Sequence, residues 1–283
     1  MEKVKIAILD LNNNFPNRGI SCIKDIVTQF GKDAKIDISY EVFDVRGKEQ
    51  VAGLDFDHYI SSGGPGSPLD SADSRWENKY FSLIESIRSA NKTETGKKKK
   101  VFFICHSFQL ICRKWELARV SLRNAASFGV YPTHKTPSGK EEIIFEGLED
   151  PFYIADFRKY QVTVPNIQKM EAYGSKILSR EKIRPHVPME RALMAVRFTP
   201  DFIGTQFHPE ADAQGMADYF REEKKKKEII EEHGQEKFDQ MVVDLLDPLK
   251  ISHTHKTILP NFLRKAIFSI ILFGPSFGTS DWD

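Results

Sequence analysis

The chain has 283 residues, of which 40% are hydrophobic and 29% charged, with a formal net charge of +1. That balance gives no bulk attraction to nucleic acid or an anionic membrane, and the longest apolar stretch, Ala266–Gly274, falls well short of the about 20 residues a membrane span needs. Three cysteines (Cys22, Cys105, Cys112) exclude a disulfide framework and suit a reducing cytoplasm, while Asp10 and Asn12-Asn13-Asn14 break any signal-peptide pattern.

Val4–Leu11 is a short apolar run stopped by turn residues, the pattern of a buried strand. Ile20–Phe30 carries apolar residues at helical spacing and Gly31 supplies a stop. Ile36–Val45 and Phe56–Ser61 read as strands, Trp76–Ile87 as an amphipathic helix, and Val101–Ile104 as an apolar strand followed by a helix through Trp115. Strands alternating with helices predict an α/β fold: a mostly parallel open sheet with helices on both faces and right-handed crossovers.

Between Arg119 and His208 come shorter strand-like runs at Ser127–Tyr131, Glu142–Phe145, Phe152–Ile154, Tyr160–Val164, Met194–Phe198 and Phe202–Phe207. Pro132, Pro165 and Pro200 interrupt them, which places part of this region at an antiparallel sheet edge. Asp212–Leu246 is helical and highly charged, Pro248 marks a stop, and Asn261–Phe273 predicts a last helix before a Gly/Pro/Ser-rich end. One α/β domain over residues 1–220, with a helical extension over 221–283 packed on it, is the expected organisation. Two lysine runs, Lys97–Lys100 and Lys224–Lys227, read as solvated surface, the second cancelled by flanking glutamates and the first with only Glu94 nearby.

Three segments carry chemistry. In Phe102-Phe103-Ile104-Cys105-His106-Ser107-Phe108-Gln109, a cysteine sits between strand and helix, where a turn raises its sulfur above the sheet edge and the helix N-terminus favours thiolate. A buried cysteine acting as a small hydrophobe is the other reading of that segment alone. Phe202-Ile203-Gly204-Thr205-Gln206-Phe207-His208-Pro209-Glu210 runs a strand into a histidine, with a carboxylate two residues on. Imidazole can take a thiol's proton and return it to a leaving group, and a carboxylate on its far nitrogen fixes the tautomer. Ser61-Ser62-Gly63-Gly64-Pro65-Gly66-Ser67-Pro68 follows a strand, and its glycines allow backbone N–H groups close to a ligand. No G-x-x-x-x-G-K-[ST] phosphate loop occurs.

These segments, in this order, resemble class I (triad-type) glutamine amidotransferases, and specifically stand-alone members similar to the glutaminase part of GMP synthase. The resemblance covers residues 4–220 and implies a flavodoxin-like sheet. By it, Cys105 is the nucleophile, His208 the general acid and base, and Glu210 the carboxylate that orients His208. Gly63 and Gly64 form the oxyanion loop, the backbone N–H groups of Gly64 and His106 are the oxyanion donors, and Gln109 lines the substrate pocket. The implied substrate is a small γ-glutamyl amide, either glutamine or a γ-glutamyl conjugate. No cofactor, metal, nucleic acid or membrane enters the chemistry. No synthetase domain follows Glu210, so ammonia passes to a separate synthetase subunit or the protein is a hydrolase or transferase in its own right.

Departures from the family pattern set further expectations. Phe103 and Ser107 stand where the family's Gly-x-Cys-x-Gly-x-Gln has glycines, and Phe103 predicts a rearranged pocket. The stretch Asp156–Val162 lacks the histidine that the family commonly carries there, which points to altered substrate recognition. A regulatory or binding protein that kept the fold without turnover is therefore one alternative. A homoserine acyltransferase-like enzyme is another, though its N-terminal signature is missing. Cys22 and Cys112 read as core, the His106 side chain as directed away from Cys105, and His253-Thr254-His255 as a weak zinc candidate.

Overall fold

The apolar strand patterns of the first hundred residues assemble into a parallel β-α-β sheet in the computed structural model, which describes residues 3–15, 18–93, 97–186 and 189–272. Strands β1 (Val4–Asp10), β2 (Ile38–Asp44), β3 (His58–Ser61) and β4 (Lys100–Ile104) alternate with helices α1 (Gly19–Ala34), α2 (Arg75–Thr93) and α3 (His106–Lys114). Strands β5 (Ala118–Lys135) and β6 (Phe152–Pro165) follow, flanking the four-residue α4 (Pro137–Lys140). Helix α5 (Ile167–Tyr173) leads to β7 (Lys176–Glu181), β8 (Leu193–Arg197) and β9 (Phe202–Thr205). The chain then turns helical in α6 (Ala213–Arg221), α7 (Glu223–His233), α8 (Gln235–Leu246) and α9 (Ile251–Leu272).

All nine strands join one sheet in the order β2-β1-β3-β4-β9-β8-β7-β5-β6. The half from β2 to β9 is parallel and the half from β9 to β6 is antiparallel. Alternating side chains of the parallel strands feed two cores. Ile6, Ile8, Phe102 and Ile104 pack with α1 and α9 on one face, through residues such as Ile26 and Phe262. Ala7, Leu9, Val101 and Phe103 pack with α2 and α3 on the other, through Ile84 and Phe108. Burial on both faces explains why these strands read as continuous apolar runs. A third core joins α6, α7 and α8 to Val130 of β5 and Ala155 of β6.

The second half differs in detail from the sequence pattern. Ser127–Tyr131 lies inside the long β5, and Phe152–Ile154 and Tyr160–Val164 are two parts of one β6. Glu142–Phe145 is not a strand: residues Ile143–Phe145 form a 3-10 turn that buries Ile144 and Phe145 against the sheet. Strand β7, which the pattern missed, is short and polar at both ends. The region Asp212–Leu246 is helical, as the pattern predicts, in three helices broken after Arg221 and again at Gly234, whose φ is +87°. Asp212 caps α6 by accepting from the Gly215 N–H at 2.8 Å. Helix α9 begins ten residues before Asn261 and runs through Pro260, held by the apolar face that includes Ile258, Leu259, Phe262 and Leu263. Glu94, Phe273 and the Gly/Pro/Ser-rich end lie outside the described residues. No helix among the described residues is long and apolar enough to cross a membrane.

Candidate active site

At the C-terminal edge of the parallel half, β4 ends at Ile104 and α3 begins at His106, so Cys105 alone makes the turn. Its φ of 48° and ψ of −97° lie outside the regions an L-residue favours. Two ties hold this strained turn: the Cys105 N–H donates to Thr205 O at 2.8 Å and the Gln109 N–H donates to Cys105 O at 3.0 Å. Ser107 adds a third. Its hydroxyl accepts from the Ile104 N–H at 2.8 Å and lies 3.0 Å from the carbonyl oxygens of Ser61 and Ile104. Serine in place of glycine thus laces the turn to the end of β3.

Phe103 does not reshape the pocket. Its ring is fully buried on the α3 face, with edge contacts to Phe198 and Phe202 at centroid distances of 5.7 and 6.0 Å. Gly204 sits opposite it in the β4–β9 register, and a Cβ there would come 2.9 Å from Phe103 Cβ. The side chain therefore occupies core volume that the neighbouring strand leaves open and does not line the space around Cys105.

Strand β9 delivers the histidine. Beyond Thr205, the Gln206 N–H donates to Met194 O at 2.8 Å and the His208 N–H to Ala155 O at 3.1 Å, which anchors the strand end between β8 and β6. His208 Nδ1 donates to Glu210 Oε1 at 2.8 Å, leaving Nε2 as the basic nitrogen. Glu210 is 3% exposed and its second oxygen is buried without a partner among the described residues. Burial opposes charge on His208, but the Glu210 carboxylate and the Cys105 sulfur outweigh it and hold the imidazole pKa well above 6.5. The ring of His106 behaves oppositely. Burial, reinforced by Arg46 and Arg113, pushes its pKa down to about 3, so it stays neutral.

The glycine loop closes the third side. A Cβ on Gly63 would lie 2.9 Å from His208 Cε1 and 3.4 Å from Cys105 Cβ, so these three residues converge. A Cβ on Gly64 would lie 2.3 Å from Leu11 O, which pins the loop to the end of β1. Ser62 Oγ accepts from the Leu11 N–H at 2.9 Å. Arg46 donates to Leu11 O at 3.2 Å and Pro65 O at 2.7 Å, and Arg113 bridges Pro68 O and the buried Glu77.

Gly64, His106 and Gln109 line one cleft of about 1000 Å3 with Cys105. Gln109 Nε2 donates to Tyr160 O and to Gln206 Oε1, both at 3.3 Å, and Gln206 Nε2 lies 3.9 Å from Cys105 Sγ. The Phe157–Tyr160 stretch forms another wall, where Arg158 is buried and Lys159 is exposed. Helix α7 is the roof: Lys225, Glu228, Ile229, Glu232 and His233 face the cleft, and His233 stacks on Phe128 at 4.5 Å. The second lysine run is therefore more than a solvated face, although Lys225 does pair with Glu228 at 3.1 Å.

Every residue singled out from the sequence for this site gathers here: Cys105, His208, Glu210, Gly63, Gly64, His106 and Gln109. Gln206, Arg46 and the α7 roof were not singled out; Gln206 had a signal as a member of the histidine segment, whereas Arg46 meets the glycine loop and α7 the cleft only through tertiary packing. The first lysine run lies at the opposite end of the sheet, where Lys100 pairs with Asp201. His255 Nδ1 lies 3.1 Å from Glu210 O and Thr254 hydrogen-bonds Tyr153 O at 2.5 Å, so the His253–His255 segment braces the site. No group of three or more His, Cys, Asp or Glu among the described residues is placed to hold a metal ion.

No curated protein matches the chain by sequence. Solved structures match it in fold. A glutamine amidotransferase from Thermotoga maritima superposes with a TM-score of 0.66 at 15% identity, over 94% of this chain and 99% of that one. A glutamine amidotransferase from Methylobacillus flagellatus gives 0.57 at 17% identity, over 99% and 98%. A Thermoplasma acidophilum protein provisionally described as a subunit of GMP synthase gives 0.51 at 16% identity, over 95% and 99%. The class-I glutamine amidotransferase family model matches residues 19–227, a span that contains the cysteine turn, the glycine loop and the histidine segment. The chain belongs to the class-I glutamine amidotransferase family.

Proposed function

We propose that this protein is a cysteine amidohydrolase that cleaves the γ-glutamyl amide of glutamine or of a γ-glutamyl conjugate through a thioester at Cys105. The observation that carries this reading is the convergence of Cys105, His208–Glu210 and Gly63 at one strand-edge turn. The Cys105 sulfur, its proton taken by His208 Nε2, attacks the γ-carbonyl carbon. The oxyanion that develops is held by the backbone N–H groups of Gly64 and His106. The C–N bond then breaks as His208 returns its proton to the departing nitrogen, which leaves as ammonia or an amine. Water deprotonated by His208 hydrolyses the thioester, releasing glutamate and restoring the thiol. Glu210 keeps the imidazole in the required tautomer and stabilises its protonated form.

Two features bear on the substrate. The cleft volume of about 1000 Å3 is at the top of the range for drug-sized ligands and exceeds what glutamine fills. Its roof and one wall are charged, which favours a γ-glutamyl conjugate with a polar amine. In this reading residues 1–220 carry the catalytic site and the extension 221–283 supplies the roof. The non-catalytic alternative loses its motive at Phe103, whose ring is in the core, and keeps it at Asp156–Val162. A free synthetase subunit receiving ammonia is the partner expected if glutamine is the substrate.

Glutamate release from glutamine and from a panel of γ-glutamyl dipeptides tests the reading. Wild type should release glutamate from at least one, and Cys105→Ala and His208→Ala should release none. Equal rates for wild type and Cys105→Ala on every compound would refute it.

A further inference from the structure

Strand β5 slips register against β6 between Leu122 and Ser127. At this bulge Ala126 and Ser127 line the Cys105 cleft on one side and a second cavity of about 460 Å3 on the other. That cavity runs into a further space of about 360 Å3, with Arg123, Glu181, Lys182 and Arg184 common to both. The wall between cleft and cavity is polar. Ser127 Oγ donates to Asp156 Oδ2 at 2.6 Å, and Arg158 Nε donates to Asp156 Oδ1 at 2.8 Å.

The cavity beyond that wall is rich in cations with few carboxylates to match. Asp156 is engaged by Ser127 and Arg158, and Glu190 accepts the Val164 N–H at 2.8 Å. Glu181 Oε1 alone meets three guanidinium groups: Arg123 at 3.2 Å, Arg158 at 3.3 Å, and Arg184. Lys182 lies 4.5 Å above the Tyr131 ring, and no carboxylate among the described residues pairs with it. Arg191 donates through Nε to Glu181 O at 2.7 Å, and its Nη2 is buried without a partner among the described residues. Burial first, and then nearby cations, lower the pKa of each of Arg123, Lys182 and Arg191: Arg158 and Arg184 act at Arg123, Arg184 and Lys237 at Lys182, and Arg180 at Arg191. Arginine forks of this kind match the oxygens of carboxylate and phosphate groups.

We propose that the arginine-lined cavity between the β5 bulge and β7 is a binding site for a small, multiply charged anion, with carboxylate or phosphate groups held by Arg123, Lys182, Arg184 and Arg191. The site stands one hydrogen-bonded wall from the nucleophile's cleft, and its occupancy requires no turnover.

The test is calorimetric titration of the full-length Cys105→Ala protein with inorganic phosphate and, separately, with succinate, at low ionic strength. Saturable binding of at least one probe is expected, and the stronger of the two identifies phosphate or carboxylate as the recognised group. Arg184→Ala and Lys182→Ala, both at partly exposed positions, should each weaken it about tenfold. Arg119→Ala, an exposed cation elsewhere on β5, should leave it unchanged. No binding of either probe would overturn the proposal, as would equal weakening by Arg119→Ala or undiminished binding in both cavity variants whose melting curves are unaltered. Because the nucleophile is absent from the titrated protein, this outcome is independent of whether the amidohydrolase reading holds.

Discussion

Replacing Gly63 by alanine probes the site with one added carbon. The new Cβ would lie 2.9 Å from His208 Cε1, well inside the about 3.5–4.0 Å at which carbon atoms sit comfortably. The imidazole must give way by about 0.6–1 Å. It cannot take its partner with it: Glu210 is 3% exposed, and the Glu210 backbone oxygen meets His255 at 3.1 Å. The 2.8 Å bond from Nδ1 therefore stretches while Nε2 moves off the line to Cys105. A displacement near 1 Å in a catalytic group costs about 10²-fold in rate. A drop of about 10- to 100-fold in kcat/KM is expected for the best substrate, equivalent to about 1.4–2.7 kcal/mol of transition-state stabilisation. The fold should persist, because Gly63 does not occupy the left-handed region and the nearest atoms belong to side chains. Initial-rate assays of glutamate release, paired with thermal melts, check both halves. Unchanged kcat/KM would refute the reasoning, since Gly63 would then not face the catalytic pair. The contrasting variant is Gly64→Ala, whose Cβ meets a backbone oxygen at 2.3 Å and should lower the melting temperature as well as the rate.

Glu210→Gln removes the charge that helps hold the His208 pKa above 6.5. A histidine whose folded pKa is raised stabilises the protein fully below about pH 6.5 and loses that contribution as pH climbs through the raised value. The wild-type advantage over Glu210→Gln in urea titrations should be about 1.5–3 kcal/mol near pH 6 and shrink on the alkaline side; a gap that widens with pH would contradict the pairing. Arg46→Ala deletes the donor to Leu11 O and Pro65 O, so it should destabilise the protein by about 1–3 kcal/mol and lower kcat/KM through the loosened glycine loop, as read from melts and initial rates. Phe103→Ala should cost about 3–5 kcal/mol in urea unfolding yet leave KM unchanged, because its ring fills core rather than cleft. A large KM change with little loss of stability would place that ring in the pocket after all.

Cys105 and His208 stood out in the sequence because each follows an apolar run directly, and Glu210 as the carboxylate two residues beyond the histidine; the C-terminal edge of a parallel sheet is fixed by that local pattern. The glycine loop was legible for the same reason. Phe103 misled because a one-residue step along a strand reverses the face, and only the packed sheet shows that the ring meets Phe198 and Phe202. The antiparallel half was harder, since strands β5 and β6 contain prolines and polar residues that are tolerated by their long mutual pairing and by the helices laid over them. Sequence by itself determined the parallel core and marked the Cys105 turn and the His208 segment, because each is a local strand-end pattern; that the two meet beside Gly63 was decided by the folded sheet. Tertiary structure alone decided that α7 roofs the cleft, that Arg46 braces the glycine loop, and that Arg123, Lys182, Arg184 and Arg191 share a cavity. Those groups are far apart in sequence or ordinary in composition, and their meaning comes from the neighbours that folding brings to them.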